Sequence, residues 1–485
     1  MMQISSIVSK GPVLMGHHIR VSQGQRASQN KKYIIFFLIF GAIEGLTFIF
    51  NIGPLTMPDP GMHLPATYAT ATGQQFNFAQ QTGSEGEKGA SILSITGDSI
   101  YLTPTTANNV TIENILTSPQ QMTKYQKDQQ KEFSSHVYTR ITSTDNRANQ
   151  YSFLPYIPQA IGMRLGLSTD SNAWRTLQLS RLSNLVFYLA VICMAICVAP
   201  RGKPLIVLIS LFPVSMFCAS SIMADGMVIC TCALFVCSCF ALLHRATPLN
   251  IYSLLGLGIL GFLVGSVKVS YFPLILLILL ASPHAIRPKP RNITTIITLL
   301  CSLVASLLWT RFLAKTPGTY MQVDKYEAIH NPIKFLTILA SNTVIDPVRL
   351  IAGFPLLLVW CIAALTVIAY LIRIGPTDVK TTPLMITITR RVQISVPQLV
   401  LLVLMLCLAA TFAPIMMTTS DLTEMTYFTL ISGFQTRYLS PLAPLLLGFL
   451  YLRRQTPHPI QTLEKASASS SVYPSPKNHH TDVHQ

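Results

Sequence analysis

From residue 33 onward the chain returns repeatedly to apolar runs long enough to cross a lipid bilayer. A backbone in hydrocarbon must satisfy its own N–H and C=O groups, so such runs must be helices unless they close into a barrel. The first, residues 33–53, reads YIIFFLIFGAIEGLTFIFNIG. Further candidate spans fall at roughly 177–198, 205–222, 227–243, 251–267, 269–282, 293–314, 347–372, 397–418 and 438–452. The pattern predicts an all-α integral membrane protein of about ten transmembrane helices. Composition agrees: mean hydropathy is +0.46 and half the residues are apolar. Only 11% are charged, roughly half the share of a soluble chain.

Orientation follows from the basic residues of the connections. Residues 1–32 carry Lys10, Arg20, Arg26, Lys31 and Lys32 and no acid, and read as a cytoplasmic N-terminal tail. The span 33–53 begins too far in for a typical signal peptide and lacks a small-x-small cleavage site after it, so it reads as a retained signal anchor. With the N-terminus inside, the inner segments hold 19 of the 35 basic residues, while the loop 54–174 holds seven against nine acids. That loop is therefore expected to be extracytoplasmic. Residues 175–453 form the polytopic transmembrane domain, and 454–485, rich in Ser, Pro and His, a disordered cytoplasmic tail. Within the loop, stretches such as SILSI and NVTIENI predict a few strands between about 90 and 150.

Residues 251–282 cannot be one helix, because 32 residues would run about 48 Å against a hydrocarbon core of about 30 Å. The run reads as a hairpin with Lys268 at its outer apex. Gly256, Gly258 and Gly261 match a dinucleotide fingerprint in form only, since no strand precedes them. Gly261 and Gly265 read instead as close helix packing. The net charge of +16 reads as topology, because no stretch interleaves basic and aromatic residues as a nucleic-acid groove does. All ten cysteines lie in apolar runs, outside the polar loop. No disulfide framework is expected, and Cys230, Cys232, Cys237 and Cys239 read as packing residues.

Several polar groups converge on the outer side. Pro58-Asp59-Pro60 suits a helix start with Asp59 as N-cap and Pro60 at the first helical position, the helix running to Gly73. Asp59 and His63, four residues apart, share one face of it, where a carboxylate and an imidazole can share general-base work. Lys268 reads either as a snorkelling lysine or as a cation for a lipid phosphate. Arg437, in Gln435-Thr436-Arg437-Tyr438, opens the last span at its N-terminal end, where a cation opposes the helix dipole unless an anion joins it. It reads as an interfacial anchor or as a phosphate site with Tyr438. Arg175 and Arg181 open the second span at the same level, and Asp225 lies in the turn between the third and fourth.

At these residues the chain resembles the bacterial multi-pass family catalogued as domain of unknown function 2142. The matching stretches are Pro58-Asp59-Pro60 with His63, Leu154-Pro155-Tyr156-Ile157-Pro158-Gln159-Ala160, Arg181-Leu182-Ser183-Asn184, Ala219-Ser220-Ser221 with Asp225, Lys268 with Tyr271 and Pro273, and Gln435-Thr436-Arg437-Tyr438 with Pro441. That family is similar to the GT-C class of membrane glycosyltransferases, which take sugars from polyprenyl-phosphate carriers. The resemblance implies a bacterial plasma-membrane enzyme moving a sugar from such a donor to a cell-envelope glycan or glycolipid. Asp59 and His63 would be catalytic, Lys268, Arg437 and Tyr438 would bind the lipid phosphate, and Arg181, Asp225 and Gln435 would support them. A divalent metal is left open. Pro60 stands where the family usually has Glu, and if that acid is a ligand or a second base its loss implies a weakened, altered or metal-independent protein; no other cofactor and no nucleic acid is implied. The alternatives are a transporter or flippase of a lipid-linked saccharide and a non-catalytic envelope-assembly protein.

Overall fold

A computed structural model of the chain describes residues 11–73, 91–92, 119–134, 142–143, 151–169, 171–243, 245–309, 331–352, 355–374, 385–389, 392–419 and 435–451. The described architecture is that of an all-α membrane protein. Helix α1 (Gly11–Asn51) is followed by α2 (Pro60–Thr72), α3 (Pro119–Ser134), α4 (Ile157–Ser168), α5 (Ala173–Val198), α6 (Lys203–Ser210), α7 (Pro213–Ala219) and α8 (Asp225–Leu243). Then come α9 (Ile251–Val267), α10 (Pro288–Leu308), α11 (Pro332–Ala352), α12 (Pro355–Ile374) and α13 (Val396–Thr419). Two apolar stretches, Val269–Leu280 and Ser440–Tyr451, take the tighter 3₁₀ form.

Among the described residues, five helices are long and apolar enough to span a bilayer: Asn30–Asn51 within α1, α5, α8, α10 and Val396–Pro414 within α13. The central one, α8, has 83% of its most apolar stretch buried among its neighbours, whereas the corresponding stretches of α1 and α10 are 22% buried. Apolar side chains left outside on α1, such as Ile35, Ile39 and Ile43, suit a lipid-facing surface better than water.

Several expected boundaries are corrected. α1 already begins at Gly11, so part of the expected tail is helical. The span expected at 205–222 is two short helices, α6 and α7, broken around Leu211 and Phe212 ahead of Pro213. The span expected at 347–372 straddles the junction of α11 and α12. Pro347, the first residue of that expected span, lies inside α11. The stretch expected as the last span is 3₁₀ over Ser440–Tyr451, whose 12 residues rise about 24 Å at about 2.0 Å each, more than an α-helix of that length. Among the described residues of the polar loop, the strands are the antiparallel pair Ser91–Ile92 and Thr142–Ser143, with α3 between them in sequence. NVTIENI and the C-terminal tail lie outside the described residues. A second antiparallel pair, Met385–Thr389 with Val392–Ser395, leads into α13.

The hairpin at 251–282 is present. α9 ends at Val267, Lys268 is extended at φ −156°, and the 3₁₀ stretch returns from Val269. Its open ends meet through Leu249 N–H to Ala285 O, 2.9 Å. A Cβ on Gly265 would lie 2.7 Å from Ser302 Cβ and one on Gly261 3.0 Å from Thr298 Cγ2. Both glycines therefore let α10 approach α9, as small residues do between membrane helices.

Candidate functional site

Four charged groups from four distant segments meet where α2, α8, the hairpin apex and the short 3₁₀ turn Thr436–Tyr438 come together. Arg437 Nη2 donates to Asp59 Oδ2 at 2.8 Å, and its Nε lies 3.6 Å from Asp225 Oδ2. Lys268 Nζ donates to Asp225 Oδ1 at 3.2 Å. Two carboxylates thus face two cations with no net charge, the arrangement in which buried ions are tolerated. Arg437, Lys268 and Asp225 are almost fully buried, while the Asp59 side chain is 31% exposed. Asp59 is therefore the face this cluster shows to its surroundings.

Each member is held by its local chain. Pro60 disfavours right-handed helical geometry in the residue before it. Asp59 takes φ 53°, ψ 48°, and among the described residues it is the one non-glycine with positive φ. Such a conformation costs about 1 kcal/mol and gathers at functional sites. Asp59 occupies the N-cap position of α2 without a side-chain cap bond, so its carboxylate serves Arg437 rather than the helix. Pro60 takes the first helical position. Asp225 begins α8 rather than lying in a turn, and its negative charge suits that helix end.

The turn before Asp225 is fastened from three sides. Asn184 Nδ2 donates to Cys218 O and Ser221 O, at 3.2 and 3.0 Å. Gln159 Nε2 donates to Met223 O at 3.2 Å, and Thr67 Oγ1 to Ile222 O at 3.4 Å. Met223 Sδ in turn accepts from Arg437 Nη1 at 3.2 Å.

Aromatic rings close the cluster. Lys268 Nζ lies 4.3 Å from the Tyr438 ring centre and 5.4 Å from that of Tyr151, close enough for cation–π attraction. Tyr271 Oη donates to Tyr438 O at 3.0 Å, tying the hairpin to the segment that carries Arg437. Lys268 does not snorkel to solvent; it is 7% exposed. The anion that the Arg437 helix end requires is supplied by Asp59 and Asp225 of the chain itself.

His63 is buried behind the charges, its Nδ1 3.0 Å from Tyr156 Oη. Burial, and then the nearby Arg437, push His63 down to about 4, and burial pushes Tyr156 well above its ordinary value. Both are neutral at neutral pH. The structure thus brings Asp59, His63, Asp225, Lys268, Arg437 and Tyr438 together. Gln435 lies just before them and accepts the Tyr438 backbone N–H through its carbonyl, 3.0 Å.

Arg181 does something else. Its guanidinium donates to Phe48 O, Ile49 O and Ile52 O near the C-terminal end of α1, at 2.9, 3.1 and 2.7 Å, and to Ser220 O at 2.7 Å. A cation that satisfies the last carbonyls of one helix and fastens the end of α7 is a structural pin.

Nothing in the sequence marks Tyr156, Tyr151 or Met223 as site residues. Tyr156 stands in a matching motif, but only the fold shows it beside His63. Asp59 and Asp225 each face a cation, and among the described residues no group of three or more His, Cys, Asp or Glu could hold a metal ion. The donor set does not fit the divalent metal that the resemblance left open.

No curated protein and no solved structure matches this chain. Residues 42–446, which hold all four charges of the cluster, match the family described as "Predicted membrane protein (DUF2142)". The chain belongs to that family of membrane proteins.

Proposed function

We propose that the protein is a membrane glycosyltransferase that moves a sugar from a polyprenyl-phosphate donor to a hydroxyl of a cell-envelope glycan or glycolipid on the extracytoplasmic face of a bacterial plasma membrane. The observation that carries this reading is the Asp59–Arg437 pair: a partly exposed carboxylate beside a buried cation, which a second carboxylate and a lysine back up. The inner connections hold 19 of the 35 basic residues and the loop 54–174 seven, which supports cytoplasmic termini and an outward-facing cluster. A lipid-linked donor suits that side, where nucleotide sugars are not available.

In the reaction, Asp59 accepts the proton of the acceptor hydroxyl as its oxygen bonds to the anomeric carbon. The bond from that carbon to the phosphate oxygen breaks, and its electron pair stays on the departing phosphate. Arg437 and Lys268 stabilise the charge growing there, and the Tyr438 ring walls their side of the site. His63, buried on Tyr156, is a positioning residue for the start of α2. Asp225 keeps both cations charged in a place where water cannot.

The test is sugar transfer by purified protein in lipid vesicles. Asp59→Asn should lower turnover by at least about 100-fold, the usual worth of a general base, and His63→Ala should lower it less. Full activity in Asp59→Asn would remove the assignment.

One observation favours a transporter or flippase. Glu44 lies inside the span Asn30–Asn51, about 10 Å along the helix from its C-terminal end at about 1.5 Å per residue. An acid at that depth marks proton or substrate pathways in transporters. Under that reading Glu44→Gln stops movement of the intact donor and Asp59→Asn does not. A non-catalytic assembly role, the third reading, predicts that neither change alters any lipid-linked sugar.

A further inference from the structure

Asp59 is placed as an internal occupant of the subsite that a ligand anion would use. Its Oδ2 lies 2.8 Å from Arg437 Nη2, the distance of a charge-assisted hydrogen bond from a guanidinium to a carboxylate or a phosphate. The other side of the same guanidinium is committed inward, with Nη1 on Met223 Sδ and Nε facing Asp225. Asp225 and Lys268 are nearly inaccessible, whereas Asp59 is 31% exposed. It is carried on a left-handed residue between Pro58 and Pro60, ahead of α2. Of the four charges it is the one that can leave without stripping a buried partner of its last counter-ion, because Asp225 stays with both cations.

From this geometry we infer that the Asp59–Arg437 ion pair is a latch: a phosphate ester entering the site takes the Asp59 position on Arg437, and the displaced carboxylate becomes free to accept a proton. The inference rests on the reading of Arg437 as the anion-binding group. It adds that the resting site is self-blocked and that donor binding is what exposes the base. The exchange keeps the count of charges on Arg437 constant, since one anionic oxygen replaces another. It also links binding order to chemistry, because an acceptor hydroxyl arriving before the phosphate meets a carboxylate already engaged by a guanidinium.

The test is equilibrium binding of dodecyl phosphate, and separately of inorganic phosphate, to the full-length protein in nanodiscs at neutral pH. Asn and Gly both accept the left-handed backbone at position 59, so Asp59→Asn and Asp59→Gly remove the internal anion with little backbone cost. Both should bind dodecyl phosphate about tenfold or more tightly than the wild type, because the competent state is no longer depleted by the latch. Arg437→Gln should abolish that binding in each background. A rise for dodecyl phosphate alone identifies a lipid phosphate, and an equal rise for inorganic phosphate identifies a free anion as sufficient. Unchanged or weaker binding in either folded variant overturns the latch, and so does failure of both variants to fold, which would make the pair a structural requirement. Tighter binding in a protein that transfers no sugar would keep the latch and remove the glycosyltransferase reading. Normal transfer by the wild type without tighter binding in the variants would do the reverse.

Discussion

Asp225 lies between Lys268 and Arg437, 3.2 and 3.6 Å away, and it is itself almost fully buried. Taking its charge away leaves two buried cations with Asp59 as their remaining carboxylate partner in the cluster. Asp225→Asn should therefore destabilise the protein by about 3–5 kcal/mol, seen as a lower midpoint of thermal unfolding in detergent. An unchanged midpoint would show that the cluster holds no such tension. His63 gives a second prediction, in pH. Unfolded, it binds a proton near 6.5; folded, burial and Arg437 hold it at about 4. Between those values the unfolded chain holds the extra proton, so the His63 contribution is fully present above about 6.5 and drains away as pH falls toward 4. His63→Asn should flatten that part of the stability–pH curve, and a curve of unchanged slope would count against a neutral buried imidazole.

At the scale of elements, two contacts decide whether the segments carrying the site meet. The first is Arg181 of α5, whose guanidinium reaches three carbonyls near the end of α1 and one after α7. Arg181→Met keeps the apolar stem but removes the guanidinium donor from Ile49 O, Ile52 O and Ser220 O, while Phe48 O keeps the Ile52 N–H, which should cost about 2–4 kcal/mol. Lys, with one compact head, should restore only part of it. The second is the close approach of α9 and α10 at Gly265. A Cβ there would lie 2.7 Å from both Cβ and Oγ of Ser302, so Gly265→Ala should cost about 1–3 kcal/mol through overpacking. Ser302→Gly in the same chain should recover most of the loss, and an additive double variant would mean that the two helices do not touch at that point. These effects reach the site indirectly, since the hairpin built on α9 carries Lys268 at its apex.

For the molecule as a whole, hydropathy made the membrane class and the hairpin at 251–282 legible, because hydrocarbon thickness bounds helix length. It did not reveal the breaks in 205–222 and 347–372, where apolar composition continues across a change of backbone direction. It also did not separate α-helix from the 3₁₀ stretches at 269–280 and 440–451. Asp59, Asp225, Lys268 and Arg437 stood out because each is a charge beside an apolar run. Their pairing was not legible, being set by contacts between residues up to 378 positions apart. Arg181 stood out for the same reason and proved to be bound to backbone. Tyr156 was hidden because a phenol in an apolar stretch carries no signal until its neighbour is known. Glu44 in the first span carries little signal in hydropathy, because one acid barely lowers the mean of a run of 21 residues. The central claim, that this cluster breaks the bond between sugar and lipid phosphate, is tested most directly in proteoliposomes given a donor labelled separately in its sugar and its polyprenyl chain, together with an envelope glycan acceptor. The account predicts that the labels part, the sugar passing to the acceptor and the lipid phosphate remaining in the membrane; labels that stay together, whether the donor is left in place or carried whole to the other leaflet, would contradict it.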